Sequence, residues 1–319
     1  MVSSNSIRLA LVGYGRIAIK HISVFQNIDC NIIAACNRSE EGRNNAKNEG
    51  FIKNTYSNIK EMIHKETPDG IICCASFDQI YNVAKEIIPY KIPILLEKPP
   101  GTSFNEFEEL IDDSLKYNTP VVVGLNRRHY SIINKAIEDA GGFEKITSVF
   151  IDWSENPDHF LKRGFSFAQT SKMIFGNSLH GLDLLTYLSG NIVKPNVNVI
   201  NIGKPFRWIM SLQGISDRNV LATFQSTWDS PGRWRLSFCT CDRRYTFEPL
   251  ETCIVSHKGL KNRNIEPENY DLNFKPGFYN QAIIFKKTII SGKAPDQYNL
   301  VSAKPSMKLA EILTNVFVK

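Results

Sequence analysis

The sequence predicts an α/β protein in two parts, a doubly wound parallel sheet followed by an α+β region built on an antiparallel sheet. Over the first 125 residues, short runs of Val, Ile and Leu alternate with amphipathic segments, the pattern of parallel strands joined by crossover helices. The runs are nearly continuous in apolar residues, as strands buried on both faces require. After Gly124 the texture changes to longer runs rich in Thr, Phe and Trp, separated by turn-forming stretches such as Asp229-Ser230-Pro231-Gly232.

In order, strands are expected at Ile7 to Val12, Asn31 to Cys36, Gly70 to Ala75, Ile92 to Leu96 and Pro120 to Gly124. Helices are expected between them at Ala18 to Asn27, Ile59 to His64, Gln79 to Ile88 and Phe104 to Lys116. The second part opens with a helix at Ile132 to Ala140, broken by Gly141-Gly142. Strands are expected next at Ile146 to Trp153, Ile209 to Gly214, Val220 to Trp228, Trp234 to Cys241 and Arg244 to Phe247. At the end, Met307, Leu309, Ala310, Ile312, Leu313 and Val316 recur at helical spacing. The expected division is therefore 1–124, 125–303, and a last helix over 304–319 that returns to pack on the first part.

Composition narrows the function classes. At roughly 150 residues per domain, 319 residues with 42% hydrophobic content make about two domains with ordinary cores, not a disordered or disulfide-stapled chain. Lys and Arg total 38 against 32 for Asp and Glu, and the resulting +6 is scattered in short pairs such as Arg127-Arg128. A nucleic-acid partner needs basic residues concentrated on one face, so none is expected. Seven cysteines without a Cys-x-x-Cys spacing read as reduced, buried thiols rather than a metal site. Met1 to Asn5 lack the charged and apolar regions of a secretory signal, and no apolar run approaches the ~20 residues of a membrane helix. A soluble cytoplasmic protein, without a membrane partner, is expected.

The chemistry begins at Gly13-Tyr14-Gly15-Arg16-Ile17-Ala18, directly after the first strand and opening a helix. In that context Gly-x-Gly-x-x-Ala is a dinucleotide fingerprint. The first Gly makes the turn, the second admits the pyrophosphate, and the small third residue lets helix pack on strand. A helix N-terminus then offers N–H groups and partial positive charge. The second strand ends at Asn37-Arg38-Ser39, where an NAD-selective site carries a carboxylate for the ribose 2′-hydroxyl. A neutral residue followed by a guanidinium and a hydroxyl favours NADP over NAD, with dual use the alternative. The strand Ile92 to Leu96 runs into Glu97-Lys98-Pro99, at the strand end where open α/β sheets collect ligands.

The segment Asn177 to Gly190 reads as a compact helix on which His180, Asp183 and Tyr187 share a face opposite Leu179, Leu182 and Leu185. His180 is the candidate general base for a hydroxyl proton, since imidazole has a reference pKa of ~6.5. Asp183, one turn on, would orient the ring, and Lys98 would stabilise developing negative charge on oxygen. The alternative is an ordinary solvated polar face.

Gly13-x-Gly15-x-x-Ala18, Glu97-Lys98-Pro99, Gly124-Leu125-Asn126-Arg127-Arg128, the helix around His180 and the stretch Gln281 to Phe285 occur in the order found in the Gfo/Idh/MocA oxidoreductases, which the chain resembles over essentially its whole length. That family, related to glucose–fructose oxidoreductase and inositol 2-dehydrogenase, acts mostly on sugars, sugar nucleotides and cyclitols. The resemblance implies an N-terminal Rossmann domain and a C-terminal domain with a large, mostly antiparallel open sheet through which a homodimer or homotetramer forms. It implies Lys98 and His180 as catalytic groups and a cis Lys98-Pro99 bond. It also implies that Glu97, Lys98, Pro99, Ala75 and Ser76 lie at the cofactor.

Arg127 and Tyr130, just after the last strand of the first part, are candidates for a substrate carboxylate or phosphate, with solvated surface charge the alternative. Asn177 and Asp183 complete the candidate substrate set. The chain departs from the family at Gly176, where an Asp usually precedes the His by four residues, and at Ala75-Ser76-Phe77, which replaces Thr-Pro-Asn. Two readings follow: a dehydrogenase of a ring hydroxyl, or a catalytically silent binder of cofactor and metabolite. Arg233, Trp234 and Arg235 are expected to serve packing or subunit contact.

Overall fold

The computed structural model describes residues 6–203, 206–228, 230–232 and 234–317. Met1 to Asn5, Asp229 and Arg233 lie outside the described residues. The chain divides into two compact units, the first reaching Asn126 and taking in Asn273–Ala303, the second holding Arg127–Leu272 and the residues from Lys304.

Six strands form the sheet of the first unit: β1 (Ile7–Val12), β2 (Cys30–Cys36), β3 (Asn54–Tyr56), β4 (Gly70–Cys73), β5 (Ile94–Glu97) and β6 (Val121–Gly124). All pair in parallel, in the order β3-β2-β1-β4-β5-β6. The chain therefore reverses its direction of winding between β1 and β4, the point where a doubly wound sheet opens a crevice at its carboxyl edge. Helices α1 (Arg16–Asn27), α2 (Glu40–Asn48), α3 (Ile59–Glu66), α4 (Ile80–Ile87) and α5 (Phe104–Tyr117) make the crossings. Every residue of β4, β5 and β6 is buried, as the unbroken apolar runs require. Hydrophobic pattern does not reveal β3 or α2: β3 is only Asn-Thr-Tyr, and α2 buries no more than Gly42 and Ala46.

In the second unit, β7 (Ser148–Asp152), β8 (Asn196–Asn201), β9 (Trp208–Ile215), β10 (Leu221–Thr227), β11 (Arg235–Cys239), β12 (Arg243–Phe247), β13 (Cys253–His257) and β14 (Arg263–Ile265) build one sheet. Its order is β14-β13-β12-β11-β7-β10-β9-β8, antiparallel except where β7 meets β10. Burial alternates along the strands, so that Val149, Ile151, Ala222, Phe224, Leu236 and Phe238 face inward. The exposed edge strand β8 and the three-residue β14 carry too little apolar signal to be read from sequence. The helices here are α6 (Ser131–Asp139), α7 (Pro157–Lys162), α8 (Phe167–Ser171), α9 (Leu179–Ser189) and α10 (Asn269–Asn273).

The last two helices correct the expected chain return. It is α11 (Phe278–Ser291) that joins the first unit, where Phe278, Ala282 and Phe285 share a core with Ile22 and Phe25 of α1. The final helix, α12 (Lys304–Phe317), instead packs on α9 in the second unit. Met307 and Leu313 are fully buried there, contributing roughly 1.5–3 kcal/mol each. An apolar stripe alone does not specify its partner. A polar contact supplies the missing information: Ser306 Oγ donates to the buried Asp183 on α9 at 3.3 Å.

Candidate active site

The glycine loop of the first unit is shaped by two different constraints. Gly13 has φ +88°, and a Cβ there would sit 2.6 Å from the Cys74 carbonyl oxygen, so the position is closed to any side chain. Gly15 is extended, and a Cβ there would meet nothing within 4 Å. It forms the N-cap of α1 with no side-chain cap, leaving first-turn N–H groups without a side-chain acceptor. Ala18 is fully buried and lets α1 approach the sheet.

Beside this loop is a cleft of about 660 Å³ lined by Gly13, Tyr14, Gly15, Asn37, Arg38 and Ser39 on one side and by Ala75 and Ser76 at the end of β4. These residues fit a dinucleotide: open space at the second glycine, an uncapped helix start and a cleft of cofactor size. Arg16 and Ile17 continue into α1 and are not among the lining residues. At the far end Arg38 is exposed, while Ser39 caps α2, its Oγ accepting from Gly42 N–H at 3.1 Å. Arg43, which the motif does not announce, donates to the carbonyls of Asn37 and Arg38 at 2.9 and 2.8 Å and braces that turn.

Glu97-Lys98-Pro99 ends β5, with Lys98-Pro99 cis. Glu97 is buried, and its Oε1 meets Nε2 of His21, from α1, at 2.8 Å. The His21 ring lies on Phe278 with centroids 4.6 Å apart. Gly124 makes room for this carboxylate, since a Cβ there would lie 3.0 Å from Glu97 Cδ. Burial alone would raise the Glu97 pKa, but the hydrogen bond and charge of His21, with Lys98 and Lys275 nearby, hold it below the usual carboxylate value. Glu97 is thus an ionised, buried support next to Lys98, which is half-buried. Sequence reasoning missed His21. The available signal was a histidine on the apolar stripe of α1, beside Ile22 and Phe25.

In the second unit His180 lies near the start of α9, after a π-helical turn over Ile174–Ser178. The alternative of a solvated polar face does not hold: His180 and Asp183 are 4% and 1% exposed, and α12 packs on α9. Nor does Asp183 stand ready for the imidazole or a ligand. Arg128 holds it in a fork, Nε to Oδ2 at 2.8 Å and Nη2 to Oδ1 at 2.5 Å. That assigns Arg128 to a buried ion pair.

Arg127 also turns inward, 4.7 Å from the ring of Trp234 and 5.4 Å from that of Trp153. Burial lowers its pKa, opposed by Tyr130 and by the carboxylates of Glu251, Glu155 and Asp183. Tyr130 is raised to about 12, chiefly by burial, and its OH reaches Glu251 only at 3.4 Å. Asn177, in the π turn, donates through Nδ2 to both oxygens of Glu155 at 2.9 and 2.7 Å. Glu155 also accepts from Trp153 Nε1 at 2.9 Å. The structure therefore gathers Arg127 and Asn177 around Trp153 and Glu155, and diverts Asp183 elsewhere. Lys98 belongs to the first unit and His180 to the second.

Residues 7–125 match the family described as oxidoreductases with an NAD-binding Rossmann fold, Gfo/Idh/MocA. The match spans β1 to β6 of the first unit. Among curated relatives, a Sphingobium 4-carboxy-2-hydroxymuconate-6-semialdehyde dehydrogenase is 23% identical over 239 residues, 71% of this chain and 73% of its own length. The myo-inositol 2-dehydrogenase of Thermotoga maritima is 23% identical over 137 residues, 42% of this chain and 41% of its own length. A dehydrogenase structure from Chromobacterium violaceum superposes with a TM-score of 0.84 at 15% identity, covering 97% of this chain and 94% of the other. At that identity the likeness speaks for the fold. It extends to the mostly antiparallel sheet as well as the Rossmann unit.

Proposed function

We propose that this chain is an NAD(P)-dependent oxidoreductase that interconverts a secondary hydroxyl and a keto group on a sugar, sugar nucleotide or cyclitol, with NADP preferred. The observation that carries the reading is the cleft at Gly13–Gly15, open at the second glycine and bordered at the end of β2 by Arg38 and Ser39, where an NAD-selective site carries a carboxylate. When bound, the nicotinamide supplies the hydride acceptor or donor. The residues assigned to the reaction have separable roles. Backbone N–H groups at the start of α1 hold the diphosphate, and Arg38 with Ser39 hold a 2′-phosphate. Lys98 stabilises negative charge growing on the substrate oxygen, its position backed by ionised Glu97. His180 takes the hydroxyl proton or returns it. Arg127 and Asn177 contact the substrate, while Asp183 acts through Arg128 on the placement of α9.

A sugar, sugar-nucleotide and cyclitol panel with NAD⁺ and NADP⁺, followed by nicotinamide absorbance, tests the activity. Turnover that collapses in Lys98→Ala and in His180→Ala, at unchanged cofactor affinity, is expected; turnover retained in either variant removes that residue from the chemistry. Arg38→Ala should weaken NADP⁺ binding about tenfold, the scale of one lost charge-assisted hydrogen bond, and leave NAD⁺ unaffected. A second reading, a silent cofactor and metabolite binder, is favoured by Gly176 at the family's usual Asp position; binding of cofactor without turnover across the panel would select it. A cytoplasmic homodimer or homotetramer formed through the eight-stranded sheet completes the proposal. Ile200, Ile215 and Leu221, exposed on that sheet, support it, and light scattering tests it.

A further inference from the structure

Glu155 is a buried carboxylate that no motif announces. It lies just beyond β7, and its main chain is pinned beside Trp228, Glu155 N–H donating to the Thr227 carbonyl at 3.4 Å. Trp153 and Asn177 both donate to its side chain. Trp153 Nε1 comes from two residues upstream, and Asn177 Nδ2 from 22 residues downstream. Trp153 has little freedom to move. It is fully buried, its ring would lie 2.8 Å from a Cβ at Gly181, it stacks on Trp234 at 4.3 Å, and its carbonyl accepts from Ser226 Oγ. Trp234 is tied in turn by its Nε1 to the Ser154 carbonyl at 3.0 Å. The carboxylate thus sits on a rigid indole platform and grips the π turn that leads into His180.

This grip settles which way the Asn177 amide faces. An ionised carboxylate only accepts hydrogen bonds, so the NH₂ group of Asn177 must turn toward Glu155 and the carbonyl oxygen must turn away. The Nδ2 distances to both carboxylate oxygens, 2.9 and 2.7 Å, fit that orientation. Asn177 is half-buried, and its Oδ1 accepts no hydrogen bond among the described residues.

We propose that Glu155 is a positioning residue: it fixes Asn177 so that Oδ1 is offered as an acceptor, three residues before His180, to a hydroxyl group of a polyol ligand. This rests on the polyol-oxidoreductase reading above for the ligand, though not for the clamp. The chain thereby brings a carboxylate from another segment to the turn where Gly176 lacks one. The acceptor it exposes is neutral, which suits a hydroxyl and repels a carboxylate or phosphate less than an Asp would.

Reversing the polarity of the pair tests both halves. Asn177→Asp sets two carboxylates face to face and should lower the folding equilibrium constant about tenfold or more, a loss of at least ~1.4 kcal/mol. Asn177→Asp combined with Glu155→Gln rebuilds an amide–carboxylate pair and should recover most of it. Urea unfolding of the wild type, both single variants and the double variant reads this without any ligand. Equal stability of Asn177→Asp and wild type, or a double variant no better than Asn177→Asp, overturns the clamp.

For a polyol turned over in the panel, Glu155→Gln frees the Asn177 amide to rotate. It should raise KM about fivefold or more with kcat within about twofold, the pattern of lost ground-state binding, and the double variant should restore KM. An unchanged KM, or a fall confined to kcat, overturns the positioning role while leaving the oxidoreductase reading intact. Absence of turnover with every member of the panel overturns that reading and the polyol assignment with it, and the unfolding comparison still decides the clamp.

Discussion

The two units build their sites in opposite ways. In the first, the cofactor cleft is made of backbone at the ends of consecutive strands: a left-handed glycine, an extended glycine and the starts of α1 and α2. In the second, the surroundings of His180 are made of buried side chains paired over long sequence separations, Arg128 with Asp183 55 residues on and Ser306 with Asp183 123 residues apart. Backbone sites tolerate change in nearby side chains and fail when a glycine acquires one. Side-chain webs fail when one partner is lost, because a buried charge without its partner costs more than the pair contributes.

The strongest way to break this comparison is Arg128→Ala. It strands Asp183 at 1% exposure, and the expected loss is about 3–5 kcal/mol of unfolding free energy. Replacing both partners with apolar residues of similar size, Arg128→Met with Asp183→Leu, should recover much of it. The matching change in the first unit, Arg38→Ala, removes an exposed charge and should alter stability by less than about 0.5 kcal/mol. Urea titrations of the three variants decide it, and a cost below about 1 kcal/mol for Arg128→Ala would end the distinction drawn between the units.

A pH dependence sharpens the same contrast. His129 is buried, and burial, reinforced by the positive charge of Arg128, lowers its pKa from 6.5 to about 3. Above pH 6.5 the ring is neutral whether the chain is folded or not, so it adds no slope. Between 6.5 and about 3 the unfolded chain binds a proton that the folded one refuses. Stability should therefore fall by roughly 1.4 kcal/mol for each pH unit of acidification in that window. His129→Gln should remove this component. A wild type and variant with parallel stability profiles from pH 7 to pH 4, a span that holds roughly 2.5 of the ~3.5 pH units of the window on the same linkage, would show the ring protonating in place.

Sequence legibility follows the same division. Gly13, Gly15, Ala18 and Glu97-Lys98-Pro99 were readable because each lies within a few residues of the strand end that gives it meaning. Helix α9 is readable as a helix, but the burial of its polar face is not, since nothing local says that α12 packs on it. Glu155 and His21 were invisible for a related reason. Each earns its role through a partner brought near by folding, Asn177 22 residues away and Glu97 76 residues away. Periodicity reports which face of an element is apolar, and not which distant element will meet a polar group.

The smallest stability effect carries the sharpest test of the cleft. Gly13→Ala and Gly15→Ala add the same methyl group two residues apart, yet the two sites differ in kind. At Gly13 the methyl would enter a left-handed backbone and approach the Cys74 carbonyl to 2.6 Å, so a loss of at least about 1–2 kcal/mol is expected from strain and clash. At Gly15 the backbone is extended and the space is open, so the ligand-free protein should unfold within about 0.5 kcal/mol of wild type. That same open space is where the pyrophosphate must approach the backbone. Gly15→Ala should therefore weaken NADP⁺ binding by about tenfold or more, ~1.4 kcal/mol read by calorimetric titration. A variant that keeps both its stability and its cofactor affinity would mean that the diphosphate does not rest on this glycine.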